Sequence, residues 1–168
     1  DFAAANKLPY IIMDEGWSDD LDLLKVKSQD LNLQEIIDYG KQKNVDVILW
    51  ATWYAASHQT DAAFSTYSKM GVKGFKIDFF DRDDQKVVAS TYAIAKKAAE
   101  YKLMVDYHGM YKPTGLQRTY PNVISFEGVK GLENFKWANE DQPQYTTSIP
   151  FIRMMAGPMD YTPGAMRN

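Results

Sequence analysis

The sequence contains no cysteine, so disulfides, thiol nucleophiles and thiolate-ligated metals are excluded from its 168 residues. Histidine is nearly as scarce: only two are present, with no pair at metal-ligand spacing, which leaves a histidine-based zinc site without a basis. No apolar run approaches the roughly 20 residues of a membrane span. The formal charge of −3, with both signs interspersed, offers no patch to nucleic acid or to an anionic membrane surface. No glycine-rich phosphate loop follows the first apolar segment, and no hydroxyl sits in a nucleophile-elbow motif, which argues against dinucleotide binding and serine hydrolysis. What remains is a hydrophobic content of 45%, ordinary for a globular chain, and aromatics at 14%, including four Trp and eleven Tyr. Aromatic side chains in that number suit either a packed core or walls that hold sugar rings.

Five short apolar runs recur: Tyr10–Asp14, Val45–Trp50, Val72–Phe80, Leu103–His108 and Val123–Glu127. Each has the β-branched and aromatic character of a buried strand, and their starts lie about 20 to 35 residues apart, leaving room for a helix in most gaps. Asn32 with Glu35 has capping-box spacing before the Leu33, Ile36 and Ile37 stripe. A second helix is predicted from Thr60 or Asp61 through Phe64, Tyr67 and Met70, and a third after Asp83 and Asp84, through Val87, Ile94 and Ala98. Gly128 to Gln144 is expected to be loop, and Ile149 to Met155 either helix or strand. Regular alternation of strand and helix predicts an α/β fold with a parallel sheet built by right-handed crossovers. A (β/α)8 TIM barrel is preferred over a doubly wound open sheet, and about five to six βα units do not close eight strands. Residues 1–168 are therefore expected to be the central portion of one catalytic barrel, its first and last strands and any flanking domains lying outside the chain.

The strands share a polar finish. Lys76 and Asp78, two apart, project from one strand face. Asp14, the aromatic group from Trp50 to Trp53, Asp106 to His108, and Glu127 stand at the other strand ends, which a parallel barrel brings to one rim. Carboxylates dominate that rim, and several carboxylates with aromatic walls point to glycosidic bond cleavage, where one acid protonates the leaving oxygen and a second carboxylate acts opposite it. Asp14 and His108 are candidates for contacts to sugar hydroxyls. Trp17, Trp50 and Trp53 are candidates for sugar platforms, with core packing as the competing use.

Three segments in this order, Tyr10-Ile-Ile-Met-Asp-Glu-Gly-Trp17, Gly74-Phe-Lys-Ile-Asp-Phe-Phe-Asp-Arg82 and Ala156-Gly-Pro-Met-Asp-Tyr-Thr-Pro163, resemble the barrel of glycoside hydrolase family 97, which acts on α-linked galactosides and glucosides. The resemblance implies that Asp78 is the nucleophile of the retaining members and Glu133 the general acid/base. It also implies that Lys76 bonds a sugar hydroxyl and that Glu127 ligates a calcium ion beside the acid. Inverting α-glucosidases of the family lack the strand nucleophile and place a base Glu in the Tyr107-His108-Gly109 region, whereas this sequence has Asp78 and a Gly at position 109. The resemblance therefore implies a retaining exo-α-galactosidase, with the α-glucosidase specificity or a non-catalytic carbohydrate-binding barrel as alternatives. Gly109 also removes one calcium ligand of the inverting branch. The implied partner is an oligosaccharide substrate, with neither nucleic acid nor membrane insertion, and the implied location is periplasmic or otherwise extracytoplasmic. For a retaining pair the carboxyl groups of Asp78 and Glu133 are expected about 5 to 5.5 Å apart.

Overall fold

The computed structural model describes residues 1–138 and 141–164; Asn139 and Glu140, within the expected loop, lie outside the described residues. A short helix α1 (Phe2–Ala5) precedes β1 (Tyr10–Met13). Then come α2 (Leu33–Gln42), β2 (Asp46–Thr52), α3 (Trp53–Met70), β3 (Gly74–Asp78), α4 (Gln85–Glu100) and β4 (Met104–Tyr107). A single turn α5 (Leu116–Thr119) leads to β5 (Val123–Phe126), followed by a 3-10 turn (Leu132–Lys136), α6 (Gln142–Arg153) and a second 3-10 turn (Met154–Ala156). Among the described residues no helix is long and apolar enough to cross a membrane.

All strand pairs are parallel and the spatial order is β1-β2-β3-β4-β5. A doubly wound sheet reverses direction at a switch point, whereas this sheet adds each strand on the same side, as the arc of a barrel does. The open-sheet alternative is thereby excluded for the described residues. Alternation sorts the side chains into two faces. Phe75 and Ile77 of β3 and Val105 and Tyr107 of β4 face the helices. There Phe75 stacks on Phe64 of α3 at 5.0 Å and the Tyr107 hydroxyl donates to the Thr91 carbonyl of α4 at 2.7 Å. The opposite face carries Trp50, Lys76 and Asp106 in one register row, Trp50 opposite Lys76 and Lys76 opposite Asp106. That row is buried as well. Both faces of the central strands are thus covered, and β2 runs almost unbroken in apolar residues.

The strands match the expected runs to within two residues at either end, β2 running two residues further, to Thr52. Helix α3 starts earlier than expected, at Trp53, because Thr52 at the end of β2 caps it, its Oγ1 accepting from the Ala55 amide at 3.1 Å; the helix expected from Thr60 or Asp61 is its second part, beyond a kink, and α6 starts inside the expected loop, at Gln142. The backbone departs from helical geometry at Gln59, whose side chain instead accepts from the Leu23 amide and donates to Asp22, both at 2.8 Å. Asp61 lies past that kink and caps nothing. The segment Ile149–Met155, left between helix and strand, is the end of α6 and the 3-10 turn behind it.

Candidate active site

The C-terminal ends of the strands surround a cleft of about 760 Å³. Asp14, Lys76, Asp78, His108, Glu127 and Glu133 all line it. Asp14 follows β1, and its Oδ2 accepts from the Lys76 ammonium at 2.8 Å. Burial pulls the Lys76 ammonium down, yet the Asp14 hydrogen bond and the charges of Asp14, Asp78 and Asp106 outweigh it, so its pKa is raised. An ammonium has three donors, and Asp14 uses one.

Asp78 ends β3, and each of its oxygens has a donor. Oδ1 accepts from the Phe79 amide at 2.7 Å and Oδ2 from the Trp50 indole N–H at 3.2 Å. The chain then leaves the strand through left-handed backbone at Phe79 (φ 64°) and Asp81 (φ 50°), and the Asp81 amide bonds the Gly109 carbonyl at 2.8 Å. Gly109 is itself left-handed at φ 52° and lies against the carboxylate, so that a Cβ there would stand 2.8 Å from Asp78 Oδ1 and 2.8 Å from the Phe79 nitrogen. No larger residue fits this backbone while Asp78 holds its place.

His108 sits among acids. Its Nε2 is 2.7 Å from Asp160 and 3.3 Å from Asp106, while Nδ1 faces Glu127 at 3.7 Å. Burial disfavours its charge, but the hydrogen bonds to Asp106 and Asp160 prevail and raise its pKa to about 10. The His108 bond holds Asp160 at about 2, whereas burial, joined by the neighbouring Asp160 and opposed by His108, lifts Asp106 to about 6. Asp106, His108 and Asp160 place ligand atoms within 4.8 Å of one another. With both Nε2 contacts made to carboxylates, the three side chains form a polar network around the His108 ring.

Glu127, just past β5, accepts from the Gly109 amide at 2.7 Å through Oε2 and from the Thr162 hydroxyl at 3.1 Å through Oε1. Glu133 lies in the 3-10 turn, which is tied back by the Leu132 amide to the Thr162 carbonyl at 3.0 Å. Thr162 and Asn134 line the same cleft. The Glu127 carboxylate, the Asn134 amide and the Thr162 hydroxyl offer oxygen atoms to this part of the cleft, the kind of donor that a hard cation such as calcium takes.

Trp53 requires correction as a substrate platform. As the first residue of α3 it turns out of the cleft, its indole N–H donating to Ser90 Oγ at 2.9 Å and its ring lying 5.8 Å from Phe80. Trp17 is core, donating to the Trp50 carbonyl at 2.7 Å. Trp50 does line the cleft, joined by Phe79 and by Trp137, which is 72% exposed. Asp106 was placed at the shared rim by sequence reasoning, within the Asp106 to His108 strand end, but without a role of its own, and Asp160 was named only as part of a family-like segment.

Against known proteins, residues 1–129 match the family described as Glycoside hydrolase 97. The chain is 52% identical to a retaining alpha-galactosidase of Bacteroides thetaiotaomicron, with 100% of the chain and 26% of that protein aligned. It is 33% identical to a probable retaining alpha-galactosidase of Streptomyces bingchenggensis, over 98% of the chain and 26% of the relative. The chain thus spans about a quarter of the length of either relative. Among solved structures it superposes on a glycoside hydrolase family 97 enzyme from Pseudoalteromonas sp. strain K8, in complex with acarbose, with a TM-score of 0.83 and 28% identity, covering 97% of this chain and 30% of that one. With that match over residues 1–129, this chain belongs to glycoside hydrolase family 97.

Proposed function

We propose that this chain carries the catalytic centre of a retaining exo-α-galactosidase, with Asp78 as nucleophile and Glu133 as acid/base. The observation that carries the retaining mechanism is the contact between Asp78 and Gly109. With Asp78 in place, a side chain at position 109 would collide with its carboxylate, which supports a reading in which Asp78, rather than a base from that region acting through water, attacks the sugar. The galactoside preference rests on the two relatives named as retaining alpha-galactosidases.

In the first step an Asp78 oxygen attacks the anomeric carbon, the glycosidic C–O bond breaks, and Glu133 gives its proton to the departing oxygen. Water then attacks the anomeric carbon, Glu133 takes its proton, and the bond to Asp78 breaks with the original configuration restored. The Phe79 and Trp50 N–H groups hold the Asp78 carboxylate in one orientation, which lowers the cost of reaching the reacting geometry. The Lys76 and Asp14 pair offers a donor and an acceptor to sugar hydroxyls. Glu127, with Asn134 and Thr162 in the same part of the cleft, would hold calcium, which when bound supplies positive charge beside the acid.

The test uses the full-length protein. D78A is expected to lose about four orders of magnitude in kcat on an aryl α-galactoside. Azide restores turnover by releasing a β-galactosyl azide. No rescue, with a product of inverted configuration from the unaltered enzyme, would overturn the nucleophile. An α-glucosidase is the second reading, favoured by family 97 structures in complex with panose and acarbose. Comparing aryl α-galactoside with aryl α-glucoside turnover separates the two.

A further inference from the structure

Arg153 is a buried cation with no acid beside it among the described residues. It is the last residue of α6 and only 5% exposed. Its guanidinium donates to backbone carbonyls: Nε to Glu127 and Gly128 at 3.2 Å each, Nη2 to Phe126 at 3.2 Å and Glu127 at 3.0 Å, and Nη1 to Gly157 at 3.2 Å. A longer contact of 3.5 Å reaches the Pro158 carbonyl. Taking a guanidinium out of water is costly, and dipoles alone compensate it only when several converge. Here they converge from two segments remote in sequence, 126–128 and 157–158.

Both segments feed the acid half of the cleft. The first carries Glu127. The second opens the run in which the Asp160 amide bonds the Phe126 carbonyl at 2.8 Å, Asp160 bonds His108, and Thr162 bonds Glu127. The run continues beneath the Glu133 turn. Gly164 passes so close that a Cβ there would lie 2.8 Å from the Leu132 carbonyl carbon and 2.9 Å from the Glu133 nitrogen. None of these contacts reaches Asp78. The nucleophile is held from β2 and β3, and the acid from a segment whose own seat is the guanidinium.

We infer that Arg153 is a positioning residue for the acid/base: by clamping 126–128 to 157–158 it seats the 160–164 run that supports Glu133, and it acts on protonation of the leaving group rather than on nucleophilic attack. This rests on Glu133 being the acid of a retaining α-galactosidase, which is tested separately: the unaltered enzyme should turn over α-galactosyl fluoride with retention, and E133Q should lose the alkyl substrate while keeping kcat/KM on the fluoride.

Two full-length variants test the inference. R153K keeps the charge but loses the planar fork that spans both segments, and G164A pushes against the Glu133 backbone without touching the cleft. Each is assayed on an alkyl α-galactoside, whose leaving group needs a proton, and on α-galactosyl fluoride, whose leaving group does not. A displacement of the acid on the scale of 1 Å is expected to lower kcat/KM on the alkyl substrate about 100-fold for R153K, with the fluoride changed less than about threefold. G164A is expected to shift the ratio in the same direction. Parallel losses on both substrates in either variant, or an alkyl activity left intact in both, would overturn the inference. If R153K does not fold, the ratio in G164A decides it.

Discussion

At the scale of single residues, the site is defined as much by a missing side chain as by the acids around it. Gly109 combines a left-handed φ of 52° with direct contact to Asp78. G109A therefore meets both backbone strain and a collision, and is expected to cost about 1 to 2 kcal/mol in stability and about 100-fold in kcat, read by thermal melting and by aryl α-galactoside turnover. His108 gives a second prediction. Its pKa is raised from 6.5 to about 10, so its contribution to stability is complete below pH 6.5 and is lost as pH rises through about 10. Asp160 runs the other way: lowered from 3.8 to about 2, it contributes above pH 3.8 and loses that contribution as pH falls through about 2. D160N removes the shorter of the two Nε2 contacts and is expected to bring the His108 titration, followed by imidazole 15N shifts, down from about 10 toward 6.5. A midpoint unchanged in D160N would show that Asp106 and Glu127 alone hold the charge. Asp14, Lys76, Asp78 and Glu127 were legible in the sequence because each ends, or lies near the end of, a strand with an unmistakable apolar run. Trp53 was misplaced because it is adjacent to Trp50 in sequence terms only. Three residues on, the chain has already turned from strand to helix, and the indole points elsewhere.

Elements explain where that legibility stopped. The β-runs announce themselves because both faces of a central parallel strand are buried, so a local stretch of sequence carries nearly all the signal. Helix α3 hid its start because its first turn is fixed by tertiary partners: Thr52 caps it while donating to the Asp20 carbonyl at 2.6 Å, and the Gln59 kink is held by Asp22 and Leu23. A capping threonine that also anchors a distant loop is expected to matter more than propensity suggests. T52A should cost about 1 to 2 kcal/mol in chemical denaturation, with T52S recovering most of it, since serine keeps the cap oxygen. The 3-10 turn holding Glu133 was unreadable as an element for a related reason. Nothing periodic marks it, and its shape comes from the Thr162 carbonyl, some thirty residues away.

For the molecule as a whole, the sequential strand order means that every pair in the sheet joins units adjacent along the chain. That is why alternation alone predicted the architecture, whereas the bracing of the acid half of the cleft, a long return from 157–164 to β4 and β5, left no periodic trace in the sequence. The same topology sets an order of assembly. As a nascent chain emerges, each βα unit can dock on the one before it at once, because its partner is already made and the loop to be closed is short. The run from Gly157 to Gly164 can only arrive after all five strands are in place. Stalled chains ending near residue 156 are therefore expected to protect the strand amides from hydrogen exchange, while the Gly109 amide, bonded to Glu127, and the turn around Glu133 stay open until residues 157–164 are added. Protection of that turn in the shorter chain would show that it forms on its own. The five-stranded sheet is thus expected to be built before the acid half of the cleft is complete, because that half waits on a segment made after every strand that it braces.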